Sequence, residues 1–144
     1  MATVRASRSL QASPAEVWAV ISDPHHLPRW WPGVVRVEGV GRERFTEVHV
    51  SKRGRTVRMD FDVTVSREPE ERVWEQALAG TPFERYLRES RVAVRLAPAQ
   101  PGTRVTVELR HTPRGASLIG GGLLLARAGR RRLQEALDAL ERLF

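Results

Sequence analysis

Residues 12–34, ASPAEVWAVISDPHHLPRWWPGV, carry the stretch on which the reading of this chain turns. Ser13 is suited to cap a helix, Pro14 to occupy its first position, and Glu16 to close a capping box three residues after the cap. Val17, Trp18, Val20 and Ile21 supply the apolar face of that helix, and Asp23-Pro24 stops it, because the residue before a proline is driven out of the helical region. A second helical turn over residues 25–31 lies between Pro24 and Pro32. Two short helices in tandem, rich in tryptophan, are therefore expected near the start of the chain.

Outward from this stretch the period changes to two. Residues 3–10 alternate as an opening strand, and residues 34–40, 45–50 and 56–65 read as three further strands punctuated by Gly41 and Gly54. The last of these alternates most cleanly. Val57, Met59, Phe61, Val63 and Val65 fall on one side, with Arg58, Asp60, Asp62 and Thr64 on the other, as in a half-buried antiparallel strand. Residues 72–79, 84–96 and 105–111 complete a set of seven strands. The chain closes with a helix over residues 123–143, where Leu125, Leu133, Ala136, Leu137 and Leu140 recur at helical spacing and Arg130, Arg131, Glu135, Asp138 and Arg142 fill the other face. The order strand, two short helices, six strands, long helix is an α+β pattern, with one helix packed across a curved antiparallel sheet. With 144 residues and no internal repeat or low-complexity linker, residues 1–144 read as a single domain.

These residues resemble a known group. The capping segment Ala12-Ser13-Pro14-Ala15-Glu16, the Val17-Trp18 pair, the Asp23-Pro24 stop and the tryptophans before Pro32-Gly33-Val34 are similar to the START-like, or Bet v 1-like (SRPBCC), superfamily. The similarity is to its bacterial polyketide cyclase/dehydrase and lipid-transport branch. The resemblance implies a helix-grip fold: a curved seven-stranded antiparallel sheet around a long C-terminal helix, with two short helices after the first strand. It also implies an apolar cavity between sheet and helix that takes a lipid, a polyketide or an aromatic compound. That superfamily has no universal catalytic motif, so the resemblance assigns no catalytic residue.

Strand phase supplies the candidate site. Trp31, Met59, Phe61, Trp74 and Val107 are expected on the inward face, the usual chemistry of a pocket lining. If Val92, Val94 and Leu96 face inward, Tyr86, Arg88 and Ser90 share their face, unless a bulge flips the first half of that strand. An inward arginine would need a ligand anion, a carboxylate or water as partner. His111 ends a strand whose inward residues are Val105, Val107 and Leu109, and its reference pKa of about 6.5 suits acid–base work. Of the adjacent Trp30 and Trp31, one ring is expected to pack inward and the other to sit near the rim. The run 118–125, with Leu118 and Leu125 at its ends, is apolar nearly all round and is expected to cover the mouth of a pocket of about 300–1,000 Å³. Its triple glycine, Gly120 to Gly122, would let that cover move.

Several classes are excluded. There are 0 cysteines, which removes disulfides, thiolate nucleophiles and cysteine-ligated metals. His25 and His26 diverge on a short turn, no paired-histidine metal spacing occurs, and no phosphate loop, nucleophile elbow or dinucleotide fingerprint is present. No metal and no cofactor are expected. The longest apolar stretch, residues 118–128, is too short to span a bilayer, and residues 1–14 lack the apolar core of a signal peptide, so the expected location is the cytoplasm.

The net charge is +7, from 24 basic and 17 acidic residues, and Lys52 is the only lysine. The arginines are spread among acidic residues, so a solvated surface is favoured over a nucleic-acid or ribosome interface. Transient membrane contact through 118–131 is a further reading. Binding of a hydrophobic small molecule is the leading functional expectation. A cyclase or dehydratase using His111 with Tyr86 or Arg88 is the alternative, and a basic module acting on ribosomes or RNA is the third. The sequence leaves the oligomeric state open.

Overall fold

A computed structural model describes residues 2–114 and 121–144. Its strands are β1 (Ala2–Leu10), β2 (Arg36–Glu38), β3 (Arg44–Val50), β4 (Thr56–Arg67), β5 (Glu71–Gln76), β6 (Leu87–Pro98) and β7 (Thr103–Pro113). They form one seven-stranded sheet in the order β1-β7-β6-β5-β4-β3-β2, with every pairing antiparallel. The chain thus meanders from β2 to β7, and β1 closes on β7 at the far edge. Between β1 and β2 the chain crosses the sheet through α1 (Pro14–Ile21) and α2 (Leu27–Trp30), and it ends in α3 (Gly121–Leu143). This is the helix-grip arrangement that the family resemblance implied, and it bears out the α+β pattern read from the element order.

The opening stretch folds as its chemistry dictates. The Ser13 hydroxyl accepts the Glu16 amide at 3.2 Å, and the Glu16 carboxylate reaches back to the Ser13 amide at 3.5 Å, completing a capping box. Asp23 accepts the His25 amide at 3.0 Å and starts a short 3₁₀ turn at Pro24. Val17, Trp18 and Ile21 are buried by α1, and Leu27 and Trp30 by α2. Trp30 and Trp31 are both buried, at 2% and 4% exposed, so the expected inward-and-rim division of the pair does not occur. Trp31 follows α2 in extended backbone, which swings its ring back onto Trp30 at 5.5 Å and Trp74 at 6.3 Å.

Helix α3 lies across the concave face. Leu133, Ala136, Leu137 and Leu140 are fully buried, and each leucine contributes about 1.5–3 kcal/mol by leaving water. Gly129 lets the helix approach β1: a Cβ there would stand 2.8 Å from Val4 Cγ2. Arg8 of β1 clamps the other end, donating to Asp138 at 2.8 Å, Glu141 at 2.7 Å and Gln134 at 2.9 Å.

Four strand expectations change in detail. The strand expected over 34–40 narrows to Arg36–Glu38, and the one over 72–79 becomes Glu71–Gln76. In β4 a register shift between Val63 and Val65 ends the alternation, so Val65 pairs with Val73 and leaves the face that Met59 and Phe61 share. The strand expected from residue 84 begins at Leu87, because Pro82–Arg85 forms a 3₁₀ turn instead.

The convex face explains where many of the arginines go. Glu108, 5% exposed on β7, receives Arg5 from β1 at 2.6 Å, with Arg110 at 3.5 Å and Arg95 of β6 at 3.7 Å. Arg95 also donates to Glu71 of β5 at 2.9 Å, and Glu71 accepts Arg67 of β4 at 2.5 Å. A ladder of alternating charge therefore runs across five strands.

Candidate functional site

Between the concave face and α3 lies a cavity of about 120 Å³. Trp31, Met59, Phe61, Val92 and Leu109 form much of its apolar wall, and Phe83 and Leu87 close it beside the 3₁₀ turn. Behind that wall the aromatic rings interlock. Phe61 stacks on Phe45 at 5.5 Å and 12°, and Phe45 meets Trp74 edge-on at 6.3 Å. Such pairs add about 0.5–1.5 kcal/mol each beyond area burial.

The site residues named from sequence divide into four groups. Trp31, Met59, Phe61, Ser90 and His111 line the cavity. Trp74 and Val107 face the same side but are packed into the solid core and do not reach the cavity wall, a correction to their expected role. Tyr86 and Arg88 are also corrected: both are exposed, Tyr86 to 67%. The cause is local. A register shift between Leu87 and Glu89 resets the phase of β6, so Leu87 turns to the cavity while Arg88 turns to water and its guanidinium stays solvated. Leu118 and Gly120 lie outside the described residues, as does the side chain of Leu125, so the expected cover over the mouth falls outside them too, while Gly121 and Gly122 stand in the first turn of α3. The cavity itself is smaller than the 300–1,000 Å³ expected, because the rings of Trp30, Trp31 and Trp74 fill space that a strongly curved sheet would otherwise leave.

Four polar residues at the wall were not singled out by strand phase: Glu47, Gln76, Arg132 and, one step behind, His49. Glu47 is 1% exposed, and one carboxylate oxygen accepts His49 Nε2 at 2.9 Å while the other, Oε2, has no partner among the described residues. Gln76 Nε2 is likewise buried without a partner among them. The signal for Glu47 lay in the alternation Phe45, Glu47, His49, which puts a carboxylate in phase with a core phenylalanine. Arg132 reaches in from α3, its guanidinium 6.0 Å from the Trp31 ring and donating to the Pro32 carbonyl at 3.4 Å. His111 is held below the usual histidine pKa, first by burial and then by the Arg132 charge, so its imidazole is neutral at neutral pH. Among the described residues no three histidine, aspartate or glutamate side chains gather as a metal site would need, and no helix is long and apolar enough to cross a membrane.

The family described as polyketide cyclase / dehydrase and lipid transport matches over residues 1–144. The chain belongs to that family. No curated protein matches it in sequence. Among solved structures it is similar to a START superfamily protein from Mycobacterium smegmatis, at 15% identity and a TM-score of 0.77 over 96% of this chain and 94% of that one. A protein from Nitrosomonas europaea is similar at 19% identity and a TM-score of 0.75, covering 99% of this chain and 93% of that one. The di-domain ARO/CYC StfQ from the steffimycin biosynthetic pathway is similar at 13% identity and a TM-score of 0.73, covering 97% of this chain and 49% of StfQ. At these identities the likeness is one of fold. It shows that this polyketide cyclase / dehydrase family member shares its fold with those proteins.

Proposed function

We propose that the protein binds a compact, mainly apolar small molecule in the cavity between the sheet and α3. The observation that carries this reading is the cavity walled by Trp31, Met59, Phe61, Val92 and Leu109, with a few polar groups converging on it. Family membership supports it, because the family's description joins polyketide chemistry with lipid transport. Native mass spectrometry of the protein purified from its own host tests it. The expected result is a bound small-molecule mass that Phe61→Arg removes while the variant still melts cooperatively. A bound mass that Phe61→Arg leaves in place counts against this cavity.

A second reading is an acid–base enzyme of the cyclase or dehydratase kind, and the neutral His111 on the cavity wall favours it. Tyr86 and Arg88 take no part in that reading, since both face water. The ladder on the convex face weakens the third reading, in which basic side chains meet RNA or ribosomes, because several of those arginines are already paired with carboxylates.

A further inference from the structure

One end of the molecule gathers cations that its own carboxylates do not neutralise. Val50 pairs with Thr56, Leu87 with Pro113 and Ala2 with His111, so the β3–β4 hairpin, the start of β6 and the end of β7 share one end of the sheet. The hairpin turn is closed by the Ser51 amide on the Arg55 carbonyl at 2.8 Å, and it holds Lys52, Arg53 and Arg55 out in water. The link into β6 is pinned by the Arg114 amide on the Tyr86 carbonyl at 2.9 Å and leaves Arg85 and Arg88 exposed. Helix α3 runs away from this end: Gly129 meets Val4 and Leu109, whereas Asp138 and Glu141 meet Arg8, which pairs with Val105 nearer the opposite end. Its early, exposed Arg127, Arg130 and Arg131 therefore belong to the cationic end as well.

Lys52, Arg53, Arg55, Arg85 and Arg88 have no carboxylate partner among the described residues, and neither do these α3 arginines. The nearby carboxylates are engaged: Glu84 accepts the Gly80 amide at 3.1 Å, and Glu89 accepts Thr112 at 3.4 Å and faces Arg110 at 3.9 Å. The far end differs. There Arg8 is clamped by Asp138 and Glu141, Arg104 shares a hollow with Glu70 and Glu71, and Arg142 shares one with Glu135 and Asp138. The excess positive charge of the chain is thus concentrated at one end, where it attracts anions from outside.

Exposed apolar side chains collect at the same end. Tyr86 is 67% exposed, Val50 51% and Val35 50%, and Val35 donates its amide to the Val48 carbonyl on the hairpin arm. Phe144, the other large apolar side chain exposed among the described residues, follows the far end of α3. A protein interface concentrates apolar side chains in a centre depleted of charge. Here single apolar tips are interspersed with cations. A lipid headgroup layer suits that mixture, because phosphates take the cations while valine side chains and a tyrosine ring enter the acyl boundary. Nucleic acid would use the charge and the ring but give the valines nothing.

We infer that this end docks on an anionic lipid bilayer, with Lys52, Arg53, Arg55, Arg85 and Arg88 on lipid phosphates and Val50 and Tyr86 in the headgroup layer. Phe83 and Leu87, which flank Arg85 and Tyr86 in the chain, belong to the cavity wall, so docking brings that side of the cavity to the bilayer. The docking face does not depend on the small-molecule reading, and the two fail by different measurements.

Flotation with lipid vesicles tests the inference. Vesicles of phosphatidylcholine with about 30% phosphatidylglycerol should carry the protein in about 0.1 M NaCl, and vesicles of phosphatidylcholine alone should not. Binding should fall at least about tenfold when salt is raised to about 0.5 M, because the Debye length shortens. Each cation near such a surface is worth about fivefold in affinity, so Arg53→Gln, Arg55→Gln and Arg88→Gln combined should weaken binding roughly a hundredfold. Arg42→Gln, Arg104→Gln and Arg142→Gln combined remove the same charge from the far end and should leave affinity within about threefold. Tyr86→Ser keeps the charge and should weaken binding several-fold. Every altered side chain is exposed, and thermal melting checks that each variant folds. Equal loss in the two triple variants would show that net charge alone acts and would overturn the docking face. Binding indifferent to phosphatidylglycerol, or unchanged in Tyr86→Ser, overturns it as well. So does failure to float, and poly(U) bound in place of vesicles would assign the cations to nucleic acid.

Discussion

Phe61→Ala tests how the cavity wall is built. Phe61 is 5% exposed, stacks on Phe45 at 5.5 Å and borders the cavity of about 120 Å³. Removing its ring forfeits the transfer energy of a buried aromatic and leaves a void, which together cost about 3–5 kcal/mol for a phenylalanine in a core. Two local features place this site at the lower end. The void would open onto Glu47 Oε2 and Gln76 Nε2, which offer polar partners to entering water, and the neighbouring Met59 side chain is flexible enough to move into part of the gap. The expected loss is therefore about 3 kcal/mol, a large share of the roughly 5–15 kcal/mol that stabilises a domain. In a chain of this length that corresponds to a fall in Tm of about 10 °C. Urea unfolding followed by tryptophan fluorescence and circular dichroism measures it, with an unchanged m-value as the sign of a comparable folded state. A loss under about 1 kcal/mol would refute the reasoning, because it would mean that Phe61 is not a member of the wall.

Two further outcomes follow from the charges. His111 is held below its ordinary value of 6.5, so the unfolded chain takes up a proton first; stability should be full above pH 6.5 and decline as pH falls from there toward the lower folded value. Urea midpoints at about pH 7.5 and about pH 5.5 should differ less in His111→Gln than in the wild type, and an equal difference would place the imidazole in water. The Glu108 carboxyl is held below its ordinary 4.5, chiefly by the Arg5 hydrogen bond, so its contribution is present above 4.5 and is lost as pH falls through the lower folded value. Glu108→Ala leaves Arg5, Arg95 and Arg110 facing one another and should cost about 1–2 kcal/mol at low salt, shrinking in about 1 M NaCl; a cost independent of salt would show that packing, not charge, is what Glu108 supplies.

Local chemistry made the architecture readable from the chain alone. The capping box at Ser13 and Glu16, the Asp23-Pro24 stop and the alternation of Val57, Met59 and Phe61 each depend on residues a few positions apart, and each was realised where it was expected. Helix α3 was legible for the same reason, since Leu133, Leu137 and Leu140 share a face by spacing alone. The site was less legible because it depends on phase carried across irregularities. A single register shift near Leu87 moved Arg88 to the surface, and another between Val63 and Val65 turned Val65 away, and the amino-acid order does not mark either position uniquely. Glu47 and Gln76 stood on the correct face, but nothing local distinguishes a carboxylate or amide that finds a partner from one that does not. Only the packing of β3, β5 and α3 around one small space decided that, because hydrogen-bond satisfaction belongs to the assembled neighbourhood and not to the strand.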